Sequence, residues 1–488
     1  MDRIGVTGKA FTDPHGRTRI FNGFNFDHKA GGADTFRYAL DRAFFARYAA
    51  RGFNVLRLGV TWENLEPTPG EYNESYLRSM DAIFTAAAAH GVYIFLDMHQ
   101  DLYSGFETRI GDGAPAWATL SDGYRQRKPF YAWGEGYFWS KAVHASFDHF
   151  WANDECCGRG LQEHFAALWG MLARRYGDQP ALLGYDLLNE PFPGSSGGAM
   201  LRRLALRGVK EALTGKTFPR KAVLRDLLRE KNAVALLRHM HPAFLAEAVG
   251  AAAALCRKFD QECYAPFLER VTAAIRRETQ NGIIMAEQSI LGNLGATQEG
   301  PAIRVDGRRE PNQCYAPHAY DITVDTPMYK YADNTRVASF FDAAARRQDA
   351  QNLPVLVGEW GGADSHSRAW FPHAQFLLDY FDRRQWGQTY WTYAEGDLEA
   401  PLMEVLSRSC PQAIPGTIDY YLTDRGNRVF CLGYTHAENA AAPATIYIHK
   451  PCKAIETDGI YRLTPLEDGA SLLEVQTQPG QHRVQVQF

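Results

Sequence analysis

Glutamates close two apolar runs of this chain, Leu187-Leu188-Asn189-Glu190-Pro191 and, far downstream, Val357-Gly358-Glu359-Trp360-Gly361. Both runs read as β-strands, so each carboxyl stands where a parallel barrel opens onto the face that carries its chemistry. Two carboxyls converging on one cleft can cleave a glycosidic bond: one protonates the leaving oxygen, and the other attacks the anomeric carbon and holds it as an ester. In that division Glu190 is the general acid/base, which needs a raised pKa, and Glu359 is the nucleophile, which must stay ionised. The expected separation is about 5–5.5 Å, the retaining distance, and not the wider inverting one.

Other polar residues fall on comparable runs: Arg57 in NVLRLGV, His99 in YIFLDMH, His318 and Tyr320 in CYAPHAY, and Trp391 in QTYWTYA. Arg57 and Tyr320 can donate to the oxygens of Glu359. Asn189 brings a neutral amide beside the acid, suited to a sugar 2-hydroxyl. His99 and His318 can bind sugar hydroxyls or tune the acid, and Trp391 can floor the subsite of the cleaved sugar. Each residue taken singly has a plain structural role: a solvated loop glutamate, a satisfied core histidine, an ion-pair arginine, a core tryptophan. The set of them, spread over successive strands, is what points to a site.

The elements that must position these residues alternate. Strand-like runs at 20–26, 54–60, 93–99, 182–190, 282–289, 314–320, 355–361 and 388–394 are separated by helical patterns near 36–51, 75–90, 161–176, 335–349 and 371–384. Strands with helical crossovers predict an α/β fold, a closed (β/α)8 TIM barrel. Strand parity sorts the side chains. Asp97, His99 and Asp101 take one side of their run and Ile94, Leu96 and Met98 the other, while Leu56, Leu58 and Val60 oppose Arg57. The polar side is expected to face the lumen. Residues 101–160 read as a long loop region dense in glycine and aromatics, and 194–281 as a helical insertion. From Arg202 to Arg238 that insertion holds eleven Lys/Arg against three Asp/Glu, which suits an anionic membrane surface, a lid over an acyl chain, or a solvated helix face. Past residue 405, ATIYIHK, GIYRLTPL, SLLEVQT and HRVQVQF alternate at period two, the mark of a C-terminal antiparallel β-sandwich. The expected division is therefore 1–405 for the barrel and 406–488 for the sandwich, whose default role is structural.

Composition narrows the function classes. A net charge of −4 gives no global attraction to nucleic acid. No Gly-rich phosphate loop follows any strand. The eight cysteines form no paired metal spacing and read as free thiols. The N-terminus lacks the apolar stretch of a secretory signal, so a cytoplasmic, monomeric protein is expected, although a trimmed export signal would remove that argument. Protonation and covalent capture use only carboxylates, so neither cofactor nor metal is expected. Asp97 and Asp101 beside His99 offer too few oxygens for a six-coordinate ion.

Arg57, His99, Asn189-Glu190, His318-Ala319-Tyr320, Glu359 and Trp391 resemble, in order and spacing, the motif series of glycoside hydrolase family 5 over roughly residues 20–395. Asp97-Met98-His99-Gln100-Asp101-Leu102-Tyr103, Gly113-Ala114-Pro115-Ala116-Trp117 and the appended sandwich are similar to the endoglycoceramidase-related branch. That resemblance implies a glycolipid substrate, release of a glycan or a glucose from a ceramide-type lipid, and roles for Lys29, Asp101 and Trp151 in gripping the glucose. Trp133 and Trp139 are alternatives to Trp151. The same mechanism serves steryl, flavonoid or oligosaccharide glucosides. A catalytically silent glycolipid-binding protein is the reading of another class, but a binding module has no use for an acid and a nucleophile together.

Overall fold

The computed structural model describes residues 1–27, 39–106, 110–129, 133–215, 218–230, 237–296, 300, 302–326, 328–426, 428–438 and 440–488. Eight parallel strands form its centre: β1 (Asn22–Phe26), β2 (Val55–Val60), β3 (Tyr93–Met98), β4 (Leu182–Asp186), β5 (Ile283–Ala286), β6 (Gln313–Tyr315), β7 (Leu356–Gly361) and β8 (Gly387–Trp391). They pair in the order β6-β5-β4-β3-β2-β1-β8-β7. Parallel bridges Tyr315–Val355 and His318–Glu359 join β6 to β7 and close the (β/α)8 barrel.

The parity read from sequence sets the layers. Leu56, Leu58, Val60, Ile94, Leu96 and Met98 belong to the core between strands and helices. Phe21, Val55, Tyr93, Phe95, Leu183, Ile283, Met285, Cys314 and Leu356 fill the lumen floor, which Ile4 and Phe11 cap from below. Above that floor the inward positions turn polar, so the barrel is an apolar plug under a charged mouth. Close strand approach explains one small residue: a Cβ on Gly23 would lie 1.8 Å from the Val55 carbonyl oxygen.

Helix α1 (Arg42–Ala50) follows β1, and α2 (Glu74–Ala89), N-capped by Asn73 through Ser75 and Tyr76 N–H, follows β2. After β3 come α3 (Glu135–Trp139), α4 (Lys141–Ala152) and α5 (Leu161–Tyr176). After β4 come α6 (Gly194–Thr214), α7 (Arg220–Glu230), α8 (Pro242–Gly250), α9 (Ala253–Phe259) and α10 (Ala265–Glu278). Helices α11 (Asn334–Gln351) and α12 (Phe371–Arg384) follow β6 and β7. Two readings need correction. The segment 101–160 is not all loop, since α3 and α4 lie in it. The insertion does not run from 194 to 281, because α10 packs along α5 as the crossover that returns the chain to β5. The inserted helices are α6 to α9. Among the described residues no helix is long and apolar enough to cross a membrane.

The C-terminal region is a sandwich of β9 (Cys410–Pro415), β10 (Thr417–Asp424), β11 (Val429–His436), β12 (Ala444–Ile448), β13 (Ala454–Thr457), β14 (Ile460–Pro465), β15 (Ser471–Gln476) and β16 (Gly480–Gln487). One sheet runs β10-β11-β16-β13. The other runs β9-β12-β15-β14 and is extended beyond β9 by three short strands within residues 5–19, with Ala413 opposite Arg19. A division at 405 therefore assigns 5–19 to the wrong layer. Ile414, Phe430, Leu432, Ile446, Leu473, Val475, Val484 and Val486 form the sandwich core. Arg408 meets Asp382 of α12 at 2.7 Å, and Arg425 meets Asp379 at 2.7 Å, which fixes the sandwich to the barrel wall.

Candidate active site

Arg57 is the hub of the barrel mouth. Its side chain is 0% exposed, and its five N–H groups are all used. Nε donates to Asp186 Oδ2 (3.0 Å), and Nη1 to Asn25 Oδ1 (2.9 Å) and Glu359 Oε1 (2.6 Å). Nη2 donates to Asn189 Oδ1 (3.1 Å) and Glu287 Oε1 (2.8 Å). Asp97 Oδ1 lies 2.9 Å from Nη2 as well, a charge contact with no N–H left to direct at it. Burial opposes the guanidinium charge, but Asp97, Asp186, Glu359 and Glu287 outweigh it and hold the pKa well above the ordinary value. Burial and then the Glu287 charge push the Asp186 carboxyl well up, against the pull of Arg57. One cation thus ties together residues from β1 to β5 and β7.

Glu190 sits just past β4 with φ +42°, a region that costs a residue with a side chain about 1–3 kcal/mol. Its neighbours fix that conformation. Glu287 Oε2 accepts from the Glu190 backbone N–H at 2.7 Å, and Gln100 Nε2 donates to the carbonyls of Asn189 (2.9 Å) and Glu190 (3.2 Å). Asn189 Nδ2 donates to the Gln100 carbonyl at 3.0 Å. On the side chain, Asn293 Nδ2 donates to Glu190 Oε1 at 2.6 Å, and His318 Nδ1 lies 3.2 Å from the same oxygen.

Glu359 projects from β7. Beyond the Arg57 bond, the Tyr320 hydroxyl donates to Oε2 at 2.8 Å, and His318 Nδ1 is 3.6 Å from that oxygen. An oxygen of Glu190, an oxygen of Glu359 and a His318 nitrogen all lie within 4.8 Å of one another, inside the about 6.5–9.5 Å that an inverting pair leaves for water.

The two carboxyls are tuned in opposite directions. Burial is the largest influence on Glu190; the His318 contact opposes it, the Glu359 charge reinforces it, and the pKa is raised. Burial raises Glu359 too, but the charges of His318, Arg57 and His99 and the Tyr320 hydrogen bond outweigh it, and the pKa is lowered. A proton-holding carboxyl beside an ionised one can donate a proton and attack an electrophilic carbon in the same event. Tyr320 stays a phenol, since burial and then the Glu359 charge push it well up.

His318 meets Glu287 Oε1 through Nε2 at 3.2 Å, off line for a hydrogen bond, so this is a charge contact. Burial opposes its protonation, but Glu287, Glu359 and Glu190 raise it well above the ordinary histidine value. His99 is raised likewise, burial again opposing and Asp97 and Asp101 prevailing. Its Nδ1 lies 2.8 Å from Asp97 Oδ2, and its Nε2 stands 3.7 Å from Asp101 Oδ2, beyond hydrogen-bond reach. The ring stacks on half-buried Trp391, with centroids 5.3 Å apart and planes at 12°. Among the described residues, three groups bring ligand atoms close enough for a metal ion: His99/Asp101/Asp112, Asp186/Glu287/His318 and Glu190/His318/Glu359. Each contains an imidazole held as the cation, so an ion would have to displace that proton.

Arg57, Asn189, Glu190, His318, Tyr320 and Glu359 thus form one bonded network, with His99, Asp101 and Trp391 on its rim. Trp151 approaches the Glu190 loop from another element, its partner Phe192 lying two residues past Glu190. It lies on α4 with its indole N–H on the Phe192 carbonyl (2.8 Å) and its ring against Phe150, Phe259 and Phe267. Of its alternatives, Trp133 donates to Asp325 (2.9 Å), and Trp139 is exposed. Lys29 lies outside the described residues. Sequence reasoning missed Glu287, Asn25 and Asn293. Glu287 carried a signal, since it too closes an apolar strand run, Ile283–Ala286.

The profile of the cellulase family, glycosyl hydrolase family 5, matches residues 20–397. An endoglycoceramidase of Cyanea nozakii is 33% identical over 210 residues, 37% of this chain and 40% of that enzyme's length. Endoglycoceramidase I of Rhodococcus hoagii is 25% identical over 480 residues, 93% of this chain and 82% of its own. Among solved structures, endo-glycoceramidase II from Rhodococcus sp. superposes with a TM-score of 0.74 at 24% identity, covering 98% of both chains.

Proposed function

The chain belongs to glycosyl hydrolase family 5, and from that premise we propose that it is a retaining β-glycosidase that cuts between glucose and a lipid aglycone of the ceramide type. The observation that carries the mechanism is the pair of facing carboxyls, Glu190 raised and Glu359 lowered, within one 4.8 Å cluster. Glu359 attacks the anomeric carbon as Glu190 gives its proton to the departing aglycone oxygen; the glycosidic bond breaks and a glycosyl ester of Glu359 forms. That ester is neutral, so burial still raises Glu190 but the added push of the Glu359 charge is gone, and Glu190 can take a proton from water. The water oxygen bonds to the anomeric carbon, the ester opens, and the electron pair returns to Glu359 under the Arg57 and Tyr320 donors.

The second hydrogen of Asn189 Nδ2 is available to the sugar 2-hydroxyl, and the His99–Asp101–Trp391 rim offers a flat face and polar edges to the ring. The relatives named endoglycoceramidase support a glycolipid substrate and leave the aglycone to experiment. The test is mass spectrometry of the products from glucosylceramide, lactosylceramide, a steryl glucoside and a flavonoid glucoside. Release of ceramide with glucose or lactose is expected. Turnover of the steryl or flavonoid glucoside alone would overturn the ceramide reading and keep the mechanism.

A further inference from the structure

Helices α6 and α7 are amphipathic in an unusual sense, because leucines lie on both sides. Their inner faces are already packed: Met200, Leu201 and Val223 are buried, and Phe218, just before α7, meets Phe244 of α8 at 5.3 Å. Their outer faces nonetheless carry Leu206, Val209 and Leu213 on α6 and Leu224 and Leu228 on α7, all between 57% and 72% exposed. Spacings of three and four residues put each set on one side of its helix. Arg220, at the start of α7, donates to the carbonyls of Ala212, Leu213 and Gly215, so the two rows are joined where one helix ends and the next begins. Phe138 and Trp139 are exposed on α3, which packs against α6.

Charge says what covers this face. Arg202, Arg203 and Lys210 on α6 and Lys221, Arg225 and Arg229 on α7 are exposed beside the aliphatic rows. By count, eight Lys/Arg on α6 and α7 stand against three Asp/Glu. Glu211 is drawn to Arg207 on the flank (3.0 Å), and Asp226 is buried between Arg225, Arg238 and His239. Exposed aliphatics fringed by cations match the interface of a bilayer with anionic headgroups, where the apolar face enters the acyl boundary and each basic residue near the surface adds roughly fivefold to partition. The same helix leads back to the site: α6 begins at Gly194, four residues past Glu190, and reaches Leu206 about 18 Å along its axis.

We propose that the outer faces of α6 and α7 dock this protein on an anionic lipid bilayer, with the catalytic mouth beside the contact. The consequence, delivery of membrane lipid to the cleft, rests on the lipid-aglycone reading above; the docking itself does not.

The experiment is co-sedimentation of the full chain with vesicles of phosphatidylcholine alone and of an equimolar phosphatidylcholine–phosphatidylserine mixture. It is run beside turnover of a soluble aryl β-glucoside. The wild type is expected to prefer the anionic vesicles, the preference falling as salt rises. The double variants Leu206→Asp/Leu213→Asp and Arg202→Glu/Lys221→Glu should each lower partition at least about tenfold and leave aryl-glucoside turnover unchanged. Wild-type failure to bind, or variants that bind like wild type, overturns the docking whatever the enzyme hydrolyses. A wild-type dimer that the leucine variant abolishes would assign the face to a second copy and overturn it equally. Absence of aryl-glucoside turnover sinks the glycosidase reading and not this one.

Discussion

Tyr320→Phe removes one hydroxyl and leaves the ring. The phenol donates to Glu359 Oε2 at 2.8 Å, while Arg57 keeps its bond to Oε1 at 2.6 Å. A hydrogen bond to a charged group contributes about 1.5–3 kcal/mol. In the first half-reaction Glu359 gives up its charge, so the lost donor matters less there. In the second half-reaction the charge returns to the carboxylate, and the donor is missing in the transition state. Breakdown of the glycosyl-enzyme should therefore slow by about 10- to 150-fold. With an activated aryl β-glucoside, stopped-flow absorbance should show a burst of phenol followed by a slow steady rate. The pH profile gives a second reading with a definite sign. Wild-type Glu359 is held below the ordinary carboxylate range, partly by Tyr320. Losing that donor raises its pKa, so the acid limb of kcat/KM must move to higher pH. An acid limb that stays in place, together with wild-type turnover and no burst, would refute the reasoning.

Three other changes probe separate parts of the account. Glu190→Ala should cost about 10²- to 10⁴-fold on a glycolipid, whose leaving oxygen needs a proton. It should cost far less for release of a dinitrophenolate; equal losses on both substrates, measured side by side, would remove Glu190 from the acid role. Glu287→Gln takes away a charge that raises both the general acid Glu190 and its neighbour His318, so both should lose their protons at lower pH. The basic limb should move down, with kcat/KM reduced at least about tenfold; an unmoved pH profile would reduce Glu287 to a packing role. Gly23→Ala sets a Cβ against the Val55 carbonyl and should destabilise the barrel by about 3 kcal/mol or more, read as a lowered midpoint in thermal unfolding. An unchanged midpoint would mean that β1 and β2 are not in close contact there.

The barrel was legible because its eight strands are apolar runs divided by clear helical periods, and parity then placed Arg57 and Asp97 in the lumen. The helices at 161–176 and 371–384 match α5 and α12 to the residue. Pairing between distant segments was not legible. Three-residue strands near the N-terminus carry too little pattern to announce that they extend a sheet built from residues 410–476. The end of the insertion was hidden because helix runs on from α9 to α10 through a π-helical turn at Asp260–Tyr264, with no break in the apolar pattern. In the site, Glu190 was visible through Asn189 beside it, and Glu359 through its place at the end of an apolar run matched by the series of polar strand residues. Glu287 lacked such a neighbour, and only coordinates reveal that its two oxygens hold the Arg57 guanidinium and the Glu190 backbone. The contacts of Trp151 with Phe192, Phe259 and Phe267 were not legible either, because they join α4 to segments more than 40 residues away.

The central claim is covalent capture by Glu359. Incubation with a 2-deoxy-2-fluoro-β-glucoside bearing a dinitrophenyl leaving group, followed by intact-mass and peptide-mass analysis, tests it most directly. The account predicts one added fluoroglucosyl unit per chain, located on Glu359, with loss of activity that recovers as the ester turns over. A label on another residue, or inactivation-free hydrolysis with no adduct at any time, would contradict it.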